Sequence, residues 1–232
     1  MIDVVHVVIP ARDEEQLLPR ALASLALAQE QVESTHPHLR VDITVVLDRC
    51  VDGSAELVRR AGVRSLTVDH GNVGASRHAG VLSALTDTSS RAVAASDVWI
   101  ACTDADTVVP PHWLTGHVQL SDTYDAVIGT VEPLGLTDTT VLAQWRARHV
   151  LSEGHPHVHG ANLGLRASTY HDVGGFHPMA TDEDVDLVRR IRAGRTRWVA
   201  TDTVRVASSA RRISRCRGGF ADYLTSLENQ VG

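Results

Sequence analysis

The feature that most constrains this chain is the alternation of short β-branched runs with helical periodicity over its first 110 residues. Val4–Ile9 is a compact apolar run ended by Pro10, which reads as a buried strand. Leu17, Leu18, Ala21, Leu22, Leu25 and Ala28 then recur at helical spacing, with Asp13, Glu14 and Glu15 at the favourable N-terminal end and Ser34–His38 as the loop beyond. Val41–Leu47 is a second strand, followed by a helix from Gly53-Ser54 to Gly62. Ser65–Val68 is a third strand, followed by a helix to about Leu85, and Val98–Thr103 is a fourth. Strands that alternate with helices predict a parallel, doubly wound sheet, an α/β fold whose ligands bind beyond the carboxyl ends of the strands. Three of these strands are followed by Arg12-Asp13-Glu14, by Asp48 through Asp52, and by Asp104-Ala105-Asp106. Positions far apart in sequence thereby converge on one sheet edge.

The second half changes character. Ala126–Val131, Ala161–Arg166, Trp198–Ala200 and Val204–Ala207 read as separate strands, and Thr139–Leu151 and Asp184–Ile191 as helices, with a further helix from Phe220. No repeat, low-complexity tract or linker divides the chain. A single domain over residues 1–232 is expected, with two functional halves, 1–110 and 111–232.

All 22 basic residues are arginine. A P-loop needs a lysine to reach its phosphates, and Schiff-base chemistry needs a lysine amine, so both classes are excluded. The formal charge of −6 argues against a broad grip on nucleic acid. Cys50, Cys102 and Cys216 are widely spaced and read as reduced thiols. The first residues lack a basic n-region, and no apolar run approaches the ~20 residues of a membrane span. A soluble, cytoplasmic protein without an integral membrane segment is the expectation.

Two carboxylates at i and i+2 after an apolar strand, Asp104 and Asp106, can both reach a hard divalent cation, Mn²⁺ or Mg²⁺, which would screen a diphosphate as it leaves. Asp48 is suited to accept hydrogen bonds from a nucleobase or ribose, whereas Asp52 is suited to cap the helix that follows it.

These segments, in order, resemble family 2 glycosyltransferases over roughly residues 4–194. Val8-Ile9-Pro10-Ala11-Arg12-Asp13-Glu14-Glu15 looks like their opening strand-Pro-x-x-Asn-Glu segment, and Asp48–Ser54 like their acidic turn. Gly74-Ala75-Ser76-Arg77-His78-Ala79-Gly80 resembles Gly-x-x-x-Arg-x-x-Gly, Asp104-Ala105-Asp106 the D-x-D, and Thr181–Leu187 the Glu-Asp-x-x-Leu segment. Gly160–Arg166 with Gly174-Gly175-Phe176 resembles the stretch before it. Asp13 stands where the family usually has asparagine, and Asp-Arg-Cys-Val-Asp-Gly-Ser replaces the usual Asp-Asp-Gly-Ser.

The resemblance implies a GT-A, Rossmann-like fold with a mixed sheet, in which a parallel nucleotide-sugar-binding half at 1–110 is fused to a smaller acceptor-binding half with a closing segment at 111–232. It also implies metal-dependent transfer from a nucleoside diphosphate sugar to a small-molecule acceptor. Uridine is the default base and guanosine the alternative. It implies nucleotide contacts from Pro10, Ala11, Arg12, Glu14, Asp48, Arg77 and Asp104, metal ligation by Asp104 and Asp106, and Asp184 as the base of an inverting reaction. The base must face the metal across the sugar, which requires the Gly174–Thr181 segment to fold over the pocket.

Glu183, Asn162, His159 and Trp145 are assigned to the acceptor and sugar pocket, Trp145 because it lies beside Arg146 and Arg148. His155, His157 and His159 alternate; they either line that pocket, ligate a metal, or are polar loop residues. In the basic run from Arg211, Arg211 and Arg212 suit closure over the donor diphosphate. The rival readings are a retaining enzyme acting on a phosphorylated acid, a nucleotidyltransferase, and a nucleotide-binding regulatory protein with a degenerate site.

Overall fold

The computed structural model describes residues 1–89 and 92–211. The helix from Phe220, Cys216 and the arginines beyond Arg211 therefore lie outside the described residues.

β1 (Val4–Ala11) is buried on both faces because it lies between two parallel neighbours, β2 (Arg40–Asp48) and β4 (Val98–Cys102). Burial on both faces explains why its sequence is nearly continuous in valine and isoleucine rather than alternating. β3 (Arg64–Val68) adds in parallel outside β2. Across β4 the sheet becomes mixed. β7 (Leu163–Arg166) runs antiparallel to β4, β6 (Ala126–Leu134) antiparallel to β7, and β8 (Trp198–Ser209) parallel to β6. The two-residue β5 (Thr107–Val108) closes the order β3-β2-β1-β4-β7-β6-β8-β5. The first half is thus parallel, as expected, and the sheet as a whole is mixed.

Helices cover both faces. α1 (Leu18–Thr35), α2 (Ser54–Arg60) and α4 (Trp113–Ser121) bury Leu18, Leu25, Val58 and Trp113 against one face. α3 (Val73–Ser89), α6 (Ala167–Asp172) and α7 (Glu183–Ala193) bury Val81, Tyr170 and Leu187 against the other. α5 (Thr139–Arg148) packs separately through Val141 and Trp145. No described helix is long and apolar enough to cross a membrane.

Several boundaries differ from the sequence expectation. Pro10 does not end β1 but pairs with Val46 of β2. The Val8 carbonyl accepts the last bond from the β4 side, from Thr103 N–H at 3.3 Å. Pro10, two residues on, faces that same side beyond the end of β4, where a missing N–H breaks no ladder. α1 runs on to Thr35, and its first turn contains no acid; Asp13, Glu14 and Glu15 serve the turn before it.

The two strands expected at Trp198–Ala200 and Val204–Ala207 are one. Gly129 pairs with Thr201 and Val131 with Val206, so Asp202–Arg205 bulge out of a continuous β8. The Asn162 side chain fills the resulting gap. Its Nδ2 donates to the Thr130 and Val204 carbonyls at 2.8 Å each, and its Oδ1 accepts from Trp113 Nε1 at 3.0 Å.

Candidate active site

The carboxyl ends of β1, β2 and β4 open into a cavity of about 710 Å³, covered on the far side by residues 158–161, 180–185 and the end of β8. Pro10, Ala11, Arg12, Glu14, Asp48, Arg77, Asp104, Asp106, His159, Glu183, Asp184 and Arg211 all line it. Arg212 lies outside the described residues.

The turns after β1 and β2 are laced to each other. Asp13 Oδ1 accepts from Val51 N–H at 2.8 Å, Glu15 Oε2 from Gly53 N–H at 2.7 Å, and Asp52 Oδ2 from Glu15 N–H at 2.9 Å. The other Asp52 oxygen accepts from Ser54 N–H at 3.0 Å, so Asp52 does serve the start of α2. Asp13, Cys50 and Asp52 lie close enough for a metal, but each of the two carboxylates already accepts from backbone N–H groups.

Asp48 lines the cavity with both of its oxygens engaged by the chain itself. Its Oδ1 accepts from the His70 and Gly71 N–H groups at 2.9 Å each, and its Oδ2 from Asn72 N–H at 3.1 Å and the Ser76 hydroxyl at 2.8 Å. Four donors saturate the carboxylate's lone pairs, so Asp48 shapes the rim by holding the β3–α3 loop. Burial pushes its pKa up, but these hydrogen bonds outweigh that and the net shift is downward.

Beyond β4 the charges alternate. Arg77, 3% exposed on α3, is ion-paired with both Glu183 and Asp104. Arg211, just past β8, reaches Glu14 Oε2 at 2.5 Å and Asp106 Oδ2 at 3.2 Å. Asp106 Oδ1 lies 3.2 Å from the Ser208 hydroxyl, which donates to it. Burial and the neighbouring Asp104 raise the Asp106 pKa to about 6, with Arg211 opposing.

Among the described residues, Glu14, Asp48, Asp104, Asp106, Asp182, Glu183 and Asp184 set seven carboxylates in the wall against three guanidiniums, Arg12, Arg77 and Arg211. A diphosphate entering this space meets net negative charge unless a cation accompanies it. The oxygen donors of Asp104 and Asp106 suit Mg²⁺ or Mn²⁺, so the residues fit such an ion.

The opposite wall is built by the start of α7. Asp182 adopts a left-handed φ of 61° before the helix, a conformation uncommon outside glycine. Asp184 Oδ2 accepts from Gly160 N–H at 2.5 Å and Oδ1 from Val185 N–H at 2.8 Å. Its pKa is raised, first by burial, against the pull of Arg77. A Cβ at Gly160 would run into the Arg77 guanidinium and push it out of its ion pairs.

Residues 177–179 do fold over the start of α3. Gly74 N–H donates to the Met179 carbonyl at 3.3 Å and Asn72 Nδ2 to the Pro178 carbonyl at 3.2 Å. Phe176 anchors this segment with its ring 5.9 Å from the Arg77 guanidinium carbon.

Two assigned pocket residues are not in the pocket. Asn162 is consumed by the β6–β8 gap. Trp145 is buried at 1% exposure and stacks on His149 at 4.6 Å, and it is His149 that lines the cavity. His155 and His157 are turned to structure: His155 Nε2 is 3.1 Å from the Ile128 carbonyl, and His157 Nε2 accepts from Val150 N–H at 3.2 Å. Sequence reasoning also missed Ser208 and the loop amides around Asp48. None of them carries a residue-level signal without the fold.

A sequence model described as Glycosyl transferase family 2 matches residues 6–173. No curated protein matches the chain in sequence. Among solved structures, S. aureus TarS 1–349 in complex with UDP-GlcNAc is similar over 100% of this chain and 65% of that one, with TM-score 0.65 and 14% identity. A mannosyltransferase from Pyrobaculum calidifontis in complex with GDP-Man and Mn²⁺ gives TM-score 0.56 at 20% identity, over 92% and 58% of the two chains. Glucosyl-3-phosphoglycerate synthase from Mycobacterium tuberculosis, in complex with phosphoglyceric acid, gives 0.52 at 16% identity, over 98% and 77%. This chain spans less than two thirds of the TarS 1–349 chains, and at such identities the likeness is one of fold.

Proposed function

The chain belongs to glycosyl transferase family 2 and has the GT-A fold, and from that premise we propose that it moves a sugar from a nucleoside diphosphate donor, UDP by default, to a hydroxyl of a small acceptor with inversion. The observation that carries this reading is the excess of carboxylates, led by Asp104 and Asp106, at the carboxyl edge of the parallel strands. Such a wall admits a diphosphate only with a cation, and the fold puts ligands at this edge.

Asp104 and Asp106 would hold Mn²⁺ or Mg²⁺, which when bound screens the diphosphate and stabilises it as a leaving group. Pro10, Ala11, Arg12 and Glu14 border the nucleotide, Asp48 acts through the loop it holds, and Arg211 is the described residue of the closing segment. Arg77 positions Asp104 and Glu183 through its two ion pairs.

Asp184 accepts the acceptor hydroxyl's proton as the new glycosidic bond forms and the bond to the diphosphate breaks. Two backbone N–H groups orient it, and its raised pKa makes it the stronger proton acceptor. His149 and His159 line the cavity, and on this reading they face the acceptor.

Thermal-shift and calorimetric titration with UDP, GDP and UDP-sugars, with and without Mn²⁺, tests the reading. Metal-dependent stabilisation together with release of nucleoside diphosphate from a sugar donor is expected. Nucleotide binding without turnover across an acceptor panel would instead support a regulatory role. A product of retained configuration by NMR would overturn inversion.

A further inference from the structure

The second carboxylate of the D-x-D segment already has a cation of its own, contributed by the chain. Register explains how it gets there. β5, immediately after Asp106, pairs with the end of β8, so that Thr107 faces Ser208, and Ser209 N–H donates to the Asp106 carbonyl at 3.1 Å. Ala210 N–H then donates to the Leu134 carbonyl at 3.0 Å, which pins the chain one residue before Arg211. The guanidinium, 24% exposed, spans the buried Glu14 and Asp106 Oδ2, at 2.5 Å and 3.2 Å.

On the reading of the site given above, we infer that Arg211 and a divalent cation exclude one another at Asp106, so that the metal enters together with the donor diphosphate rather than before it. A guanidinium and a divalent ion cannot share one carboxylate oxygen without strong repulsion. A diphosphate changes that balance. It offers oxygens that match the guanidinium's planar fork, which releases Asp106 to the metal while Arg211 turns to the phosphates. Metal and nucleotide would then tighten each other's binding by one shared factor, since such coupling is reciprocal. Arg211 is a positioning residue in this scheme: it sets the order of binding and takes no part in bond making.

The test is Mn²⁺ titration followed by electron paramagnetic resonance of the free ion, with and without UDP and without any sugar donor. The wild-type chain is expected to bind Mn²⁺ weakly alone and about tenfold or more tightly with UDP. In Arg211→Ala and Arg211→Gln, Mn²⁺ binding without UDP should tighten and the enhancement by UDP should shrink towards unity. Arg60→Gln removes an exposed cation outside the cavity, paired with Glu56, and there the enhancement should persist. Unchanged or weaker nucleotide-free Mn²⁺ binding in both Arg211 variants overturns the inference while leaving the metal site standing. If wild type binds no Mn²⁺ even with UDP, the metal reading itself falls, and the inference with it.

Discussion

At the scale of single residues, the site divides into groups that face the cavity and groups that hold them. Asp184 is the proposed base, and its two oriented oxygens predict a selective loss. Asp184→Asn should lower turnover by about 10²–10⁴-fold while leaving the calorimetric affinity for UDP with Mn²⁺ nearly unchanged. Full turnover in that variant would remove Asp184 from the role. Asp48 makes the contrasting case. Asp48→Asn exchanges an acceptor oxygen for an amide that cannot accept from the Asn72 and Ser76 donors. A cost of about 1–3 kcal/mol is expected, read as a lower denaturant midpoint, with nucleotide affinity falling because the 70–72 loop loosens. Loss of affinity at unaltered stability would instead mean that the carboxylate touches the ligand. Asp48 illustrates the limit of residue-level reading: an acid after a strand is visible in sequence, but the amides that saturate it come from residues 22–24 positions away.

At the scale of elements, the parallel half was legible because its physics is local. A strand buried on both faces must be apolar throughout, so β1, β4 and the carboxyl half of β2 stand out, whereas the half-exposed edge strand β3 is marked by the helices on either side of it. The mixed half hides its elements for identifiable reasons. Polar Asp202-Thr203 reads as a break between strands, whereas β8 continues past a bulge that only its pairing with β6 reveals. Asn162 reads as a ligand contact because it sits in a family-like segment, yet it stands in for the missing ladder at that bulge. Trp145 reads as an acceptor contact beside two arginines, but the one-sided packing of α5 turns it inward. The bulge can be tested directly. Asn162→Ala would strand the Thr130 and Val204 carbonyls and Trp113 Nε1 without their partner. At about 1–3 kcal/mol for each buried unsatisfied group, a loss of roughly 3 kcal/mol or more in chemical denaturation is expected. A near-neutral result would mean that the bulge is closed by other means.

At the scale of the whole molecule, the chain keeps several of its histidines neutral by burial, and this ties stability to pH. His117, wedged beside Trp99 and Trp113, has its pKa lowered to about 3 by loss of solvation, and His159 at the cavity is lowered similarly. Burial also lowers His6, His149 and His157. In the unfolded chain these imidazoles take up protons near pH 6.5. As pH falls from 6.5 towards 3, the unfolded state therefore binds more protons than the folded state, and stability declines by about 1.4 kcal/mol per pH unit for each fully shifted histidine. Asp106, Glu183 and Asp184 work in the opposite direction, because their raised pKa values make the folded state take up protons first. The histidine contribution is isolated by comparing wild type with His117→Leu, which removes one titrating group and leaves the carboxylates in place. Between pH 7 and pH 5 the stability of wild type should fall relative to the variant, with the difference opening only below about pH 6.5. Parallel pH profiles for the two proteins would mean that His117 is protonated in the fold, contrary to its burial between two tryptophans.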